Sequence, residues 1–242
     1  VYLPPAALVR NPPRLPVLIM MSGQPGSPQD PLVTDHLRDR LDEYAAAHRG
    51  LAPIVVSPDQ LGTPGVNPMC LDSTRAGNSA TYLTVDVPRW IRAHLNPTLA
   101  PGSWGVGGAS QGGTCSSQLG AEHPELFDAI LDASGQQYPG LGSYAKTIAE
   151  GFGGDVAAFT AATPAAIMAA HAPYRDTIAV FGVGALDSRF MPGIKALVKD
   201  ARSAGMITHY VEVPDTAHDA HAWGAIFAHG LPLIAAHWGL DR

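Results

Sequence analysis

Ser110 stands at the centre of five glycines, Gly105, Gly107, Gly108, Gly112 and Gly113, in the stretch "WGVGGASQGGTCSSQLG". Glycine costs backbone entropy, so a cluster of this kind needs a steric reason. A sharp turn from a strand into a helix supplies one, and Gly108-Ala109-Ser110-Gln111-Gly112 fits the G-x-S-x-G nucleophile elbow. A serine hydroxyl is a weak nucleophile until a base takes its proton and a carboxylate orients that base. On an elbow of this type the partners follow in the order Ser, Asp or Glu, His, each at the carboxyl end of a strand. Asp187 follows "IAVFGVGAL" and His218 follows "YVEVPD", which gives the required order. The pentapeptide alone recurs by chance; the ordered partners carry the weight.

The competing assignments are few. His221 lies three residues beyond His218, and most other histidines, such as His36, His48, His94 and His237, fall on helical stretches as surface or packing residues. Asp132, after "AIL", and Asp215, close to His218, compete with Asp187 for the acid. Asp215, His218 and His221 could also be read as metal ligands. No further cluster completes such a site, and no metal or other cofactor is expected. An oxyanion requires two backbone N–H groups. Gln111, directly after the serine, supplies one, and Gln24 in the turn "MMSGQPGSP" is the candidate for the other. Trp90, Trp104 and Trp223 read as core or pocket walls.

The elements that must position these groups alternate in type. "LPVLIMMSG", "APIVVSPD", "SWGVGGA", "FDAILDASG", "TIAVFGVGAL" and "ITHYVEVPD" read as buried strands. Helical stretches lie between them: "PLVTDHLRDRLDEYAAAHRG" closed by Gly50, "SATYLTVDVPRWIRAHL", "QGGTCSSQLGAEHP", "GIKALVKDARSAG" and a final "AHAWGAIFAHGLPLIAAHW". Pro88 is tolerated in a first turn, which predicts that the second helix begins near Asp86 or Val87. This pattern is that of a mostly parallel sheet flanked by helices. Residues 136–174 contain Gly, Ala, Pro and short helical pieces but no strand, and are expected to overhang the sheet as a small cap.

The 242 residues suit one large α/β domain, and a chain that is 46% apolar and 15% charged can bury a substantial core. A net charge of −6 without a run of Lys or Arg argues against nucleic acid as a partner. No apolar run reaches the length of about 20 residues needed to span a bilayer. "VYLPPAAL" reads as a strand already in progress, so a mature or excised domain without its targeting segment is expected.

"YLTVDVPRWI", "GGASQGGTCSSQLGAEHPELF" and "HDAHAW" resemble matching segments of the esterase D / putative esterase family of α/β-hydrolases, and within it the secreted mycobacterial antigen 85 mycolyltransferases. The resemblance runs loosely from Leu15 to Trp238 and implies an α/β-hydrolase fold, an acyl-serine intermediate, and Ser110 and His218 as nucleophile and base. It departs at two points. The mycolyltransferase turn carries a trehalose-binding Asp where Ser22 stands here, and those enzymes use Glu where Asp187 is the candidate. Ser22 and Trp223, which matches the family's His-x-x-x-x-Trp ending, are the candidate substrate-binding residues.

The expected activity is that of a serine carboxylic-ester hydrolase or acyltransferase acting on small-molecule or lipid esters of the cell envelope. Location would be outside the cytoplasm, with association to a membrane surface or envelope and an open oligomeric state. The alternative is a non-catalytic binding module on the same scaffold. A family that acts outside the membrane also favours a Cys70–Cys115 disulfide, because oxidising compartments permit one; two unrelated buried thiols are the other reading.

Overall fold

The computed structural model describes residues 1–63 and 65–241. Among them, six strands form one parallel sheet: β1 (Val17–Met21), β2 (Ile54–Val56), β5 (Trp104–Ala109), β6 (Ala129–Ala133), β7 (Ile178–Gly184) and β8 (Ile207–Val213). Their order across the sheet is β2-β1-β5-β6-β7-β8, and a small antiparallel hairpin, β3 (Asp72–Ser73) with β4 (Gly77–Asn78), stands apart. β1 and β7 are buried along their whole length, which is why they read as unbroken apolar runs. The edge strand β8 is largely half-exposed.

Side chains along β7 alternate between two layers, as strand geometry requires. Ile178 and Val180 join Ile226, Phe227, Leu231 and Ile234 of α9 (Ala220–His237), a helix that also packs on α1 (Leu37–Ala47). Ala179, Phe181 and Val183 face Ile194, Leu197 and Val198 of α8 (Met191–Ser203), with Ile167 and Met168 of α7 (Pro164–His171) beside them. On that second face α4 (Gln111–Glu122) lies against β5 and β6. Among the described residues, no helix is long and apolar enough to cross a membrane.

Three local expectations need correction. The first residues form no strand: Tyr2 makes a single antiparallel bridge with Val55, its hydroxyl meets Asp42, and Pro5–Leu8 turn as a 3₁₀ helix. The helix ahead of β5 begins well before Pro88. α2 (Ser79–Thr81) runs through a π turn, Tyr82–Asp86, into α3 (Val87–His94). The wider turn lets the Val87 N–H reach the Tyr82 carbonyl, one residue further back than in an α-helix, immediately before the proline that cannot donate. Trp90 is neither core nor pocket wall: it is exposed and stacks on His94.

Residues 136–174 contain α5 (Tyr144–Lys146), a π turn Thr147–Gly151, α6 (Val156–Ala161) and α7. The segment splits in two. Its first residues border the site described next, while α7 packs on α4 and α8 as part of the helical layer.

Candidate active site

Ser110 occupies φ 53°, ψ −111°, a strained conformation for a residue with a side chain, between the end of β5 and the start of α4. Its N–H donates to the Ala133 carbonyl at 2.8 Å, which anchors the turn to β6. The reason for the glycines is visible around it. A Cβ on Gly112 would lie 2.3 Å from the Met21 carbonyl oxygen, and one on Gly108 2.4 Å from the same atom. The helix can therefore start hard against β1 only where both positions lack side chains.

His218 reaches the serine from the loop after β8. Its Nε2 is 2.8 Å from Ser110 Oγ and its Nδ1 is 2.8 Å from Asp187 Oδ2. Asp187, in the turn after β7, is buried, and its Oδ1 accepts the Phe190 N–H at 3.1 Å. The carboxylate is thus fixed from both oxygens. Gly184 makes the approach of the two loops possible, because a Cβ there would fall 2.3 Å from the Ala217 carbonyl oxygen. Phe190 stacks on the imidazole at 4.0 Å, and the Trp223 ring meets it edge-on at 5.3 Å. Two hydrogen bonds and two rings hold His218 in one orientation.

None of the competing residues takes part in the hydrogen bonds that join Ser110, His218 and Asp187. Asp132 is fully buried beneath the β6 turn, where it accepts from the Gly135 N–H and the Ser117 hydroxyl; burial pushes its pKa up to about 6, against the pull of those two bonds. Asp215 sits in the turn after β8 with positive φ, and His221 is exposed on the first turn of α9. Among the described residues, no group of three His, Cys, Asp or Glu side chains is placed to hold a metal.

Gln24 and Gln111 line the same pocket as Ser110, and neither backbone N–H is used by a hydrogen bond within the described residues. Ser22 requires correction as a substrate-binding residue. It is 1% exposed, and both its carbonyl and its hydroxyl are taken by Gln60 Nε2, at 2.7 and 3.1 Å. Trp223 is half-buried against His218 and Gly23, so it acts on the histidine rather than lining the pocket.

Beneath the pocket runs an amide network that sequence reasoning missed. Gln60 Nε2 also approaches Gln111 Oε1 at 3.2 Å, Gln111 Nε2 approaches Asn67 Oδ1 at 3.3 Å, and Asn67 Nδ2 donates to the Gly140 carbonyl at 2.9 Å. Gln60 and Asn67 come from a loop without periodicity, so no local pattern marks them. Gln118 was missed as well, although with Gln111, Thr114 and Cys115 it follows i, i+3, i+4, i+7 spacing on one helix face. A disulfide joins Cys115 on that face to Cys70, with Cα atoms 5.6 Å apart.

A model of the putative esterase family matches residues 1–234. An uncharacterized protein of Corynebacterium glutamicum is 34% identical over 99% of this chain and 57% of its own length, so the chain spans little more than half of that relative. The MPT51/MPB51 antigen of Mycobacterium bovis is 39% identical over 77 residues, 31% of this chain and 25% of that protein. Among solved structures, an S-formylglutathione hydrolase from Agrobacterium tumefaciens superposes with a TM-score of 0.80 at 18% identity, covering 98% of this chain and 88% of its own. A ferulic acid esterase from Anaeromyces mucronatus gives 0.70 at 17% identity, over 90% and 78%. With an α/β-hydrolase sheet, a serine on a strained elbow and a family match over nearly its whole length, this chain belongs to the putative esterase family.

Proposed function

We propose that the chain is a serine esterase that cleaves a small-molecule carboxylic ester through an acyl-serine intermediate. One observation carries this reading: His218 bridges Ser110 Oγ and Asp187 Oδ2 at 2.8 Å each. Ser110 Oγ attacks the ester carbonyl carbon while His218 Nε2 takes its proton. Asp187 holds Nδ1–H, fixing the tautomer and stabilising the imidazolium as it forms. The free N–H groups of Gln24 and Gln111 receive the oxyanion. The imidazolium then protonates the departing alcohol oxygen. In the second half, His218 activates water, or an acceptor alcohol in a transferase, to release the acyl group from Ser110.

The family membership supports ester hydrolysis, and water is the acceptor we favour. The disulfide supports a location outside the cytoplasm, where such bonds persist, and an ester of the cell envelope as substrate is consistent with that location. The pocket beside Ser110 does not favour a mycolate, since its volume of about 140 Å³ is small for a long chain. Burst release of p-nitrophenol from p-nitrophenyl acetate tests the reading. Ser110→Ala is expected to lower turnover by on the order of 10⁴-fold or more with the fold retained. A loss below tenfold would place the nucleophile elsewhere, and no turnover by the native chain would favour a binding module.

A further inference from the structure

The two candidate oxyanion donors stand on separate segments. The Gln111 N–H belongs to the first turn of α4, and the Gln24 N–H to the turn that follows β1. Such donors act only when both lie about 2.7–3.1 Å from the place where the negative charge forms, so their separation must be held. Both segments meet one side chain, Gln60, which comes from the loop after β2 and is 2% exposed. That loop is tied back to β1 where Ser57 Oγ donates to the Met20 carbonyl at 2.8 Å.

On the β1 side, Gln60 Nε2 donates to the Ser22 carbonyl at 2.7 Å and to the Ser22 hydroxyl oxygen at 3.1 Å. Ser22 lies two residues ahead of Gln24, and the turn curls back over it: a Cβ on Gly26 would stand 3.0 Å from Ser22 Oγ. On the α4 side the same nitrogen reaches Gln111 Oε1 at 3.2 Å. The direction of this link is fixed at both ends. A carbonyl can only accept, so the end of Gln60 that meets Ser22 is nitrogen. Asn67 accepts the Met69 N–H on Oδ1 at 2.8 Å and donates from Nδ2 to the Gly140 carbonyl, which turns Oδ1 toward Gln111 Nε2 at 3.3 Å. Gln111 therefore presents its oxygen to Gln60, and the three amides agree. Gln60 Oε1, in contrast, is buried with no partner among the described residues. A side chain serving stability alone gains little from an amide held at one end, because the unpaired end carries a desolvation cost.

Resting on the acyl-serine reading, we infer that Gln60 is a positioning residue of the oxyanion site. Its amide nitrogen ties the turn carrying the Gln24 N–H to the helix start carrying the Gln111 N–H, and so sets the separation of the two donors. Gln60 does not line the pocket beside Ser110, so it acts through Ser22 and Gln111. Without this link, α4 still packs on the backbone of Met21 and Ser22 through Gly112. The fold is kept, and what is lost is the fine spacing of the donors. A displaced donor costs most in the transition state, where the oxygen is charged, and little in the ground state.

The test uses Gln60→Met, which nearly keeps the volume and removes the donor. With p-nitrophenyl acetate, kcat is expected to fall about 10- to 100-fold while KM stays within about threefold of the native value. The second readout is inhibition by trifluoroacetophenone. Ser110 Oγ adds to its carbonyl carbon, His218 takes the serine proton, and the former carbonyl oxygen becomes an oxyanion in the same hole. Its Ki is expected to rise by about the factor by which kcat falls. A loss of folded protein alone would raise KM and Ki together, so the split between them separates positioning from stability. Gln111→Met cuts the link from the α4 side and keeps the backbone N–H, so the same split is expected there should Gln60→Met not fold. Native kcat and Ki in a folded variant, or KM and Ki rising together, would overturn the inference. A native chain that neither cleaves the ester nor binds the ketone overturns the esterase reading and this inference with it. Failure of the inference alone leaves the native chain active and inhibited.

Discussion

Single side chains in this molecule are set by what surrounds their polar atoms, and two aspartates show opposite outcomes. Asp187 is buried with both oxygens engaged, one by the Phe190 N–H and one by His218. Asp187→Asn keeps the shape but presents an amide that can hold His218 in the wrong tautomer; kcat is expected to fall by about 10⁴-fold with little change in KM. Steady-state kinetics on p-nitrophenyl acetate checks this, and a loss confined to KM would contradict it. Asp35 is equally buried, but neither oxygen has a partner. Burial first, and the charge of Asp30 second, push its pKa up to about 7, with His36 opposing. Between the unfolded value near 4 and about 7, the native state keeps a proton that the unfolded chain releases, so this group makes stability fall as pH rises through that window. Asp35→Asn should therefore be more stable than the native chain by about 1–3 kcal/mol at pH 8, with the gain shrinking toward pH 4. Urea unfolding at both pH values decides it, and a gain that does not depend on pH would remove the explanation.

Among the elements, the junction of β1, β5 and α4 is the tightest that bears on function. Gly108 and Gly112 allow the helix to begin against the Met21 carbonyl, and that contact sets the direction in which Ser110 points. Gly112→Ala would place a methyl group 2.3 Å from the Met21 oxygen and 2.7 Å from the Ser22 oxygen. Both obstacles are backbone, so strand and helix must separate. The expected cost is about 1–3 kcal/mol, read as a lower urea midpoint, together with loss of esterase turnover because the elbow shifts. Full turnover in a stable Gly112→Ala protein would show that this packing does not position the nucleophile. Pro88 illustrates a different solution at the same scale: a π turn absorbs it and lets helical backbone run from Ser79 to His94.

At the scale of the whole molecule, the pocket is assembled from pieces far apart in sequence. The loop after β2 reaches α4 through the Cys70–Cys115 bridge and reaches the segment after β6 through Asn67 and Gly140. The bridge spans a sequence separation of 45 residues, and closing a loop of that size stabilises by about 3–4 kcal/mol in the chain-entropy account. Replacing both cysteines with Ala should therefore lower Tm by about 10 °C. Calorimetry of the double variant checks this, and an unchanged Tm would mean that the loop is held without the bridge.

What the sequence determined is what short-range physics controls. Strands buried on both faces must be continuously apolar, helices between them must show a 3.6-residue period, and a strand-to-helix elbow must be flanked by glycines. Those constraints made the parallel sheet legible, and the chain order of strand ends singled out Ser110, Asp187 and His218. Tertiary structure decided the rest, because it depends on which distant backbone atoms come together. It placed Ser22 under Gln60 rather than in the pocket, opened the terminal stretch "VYLPPAAL" into a single bridge at Tyr2, and divided residues 136–174 between pocket rim and helical layer. It also tied Gln118 to Ala162 and left one oxygen free. No local pattern encodes the partner of a buried amide, since that partner is chosen only when two remote segments pack.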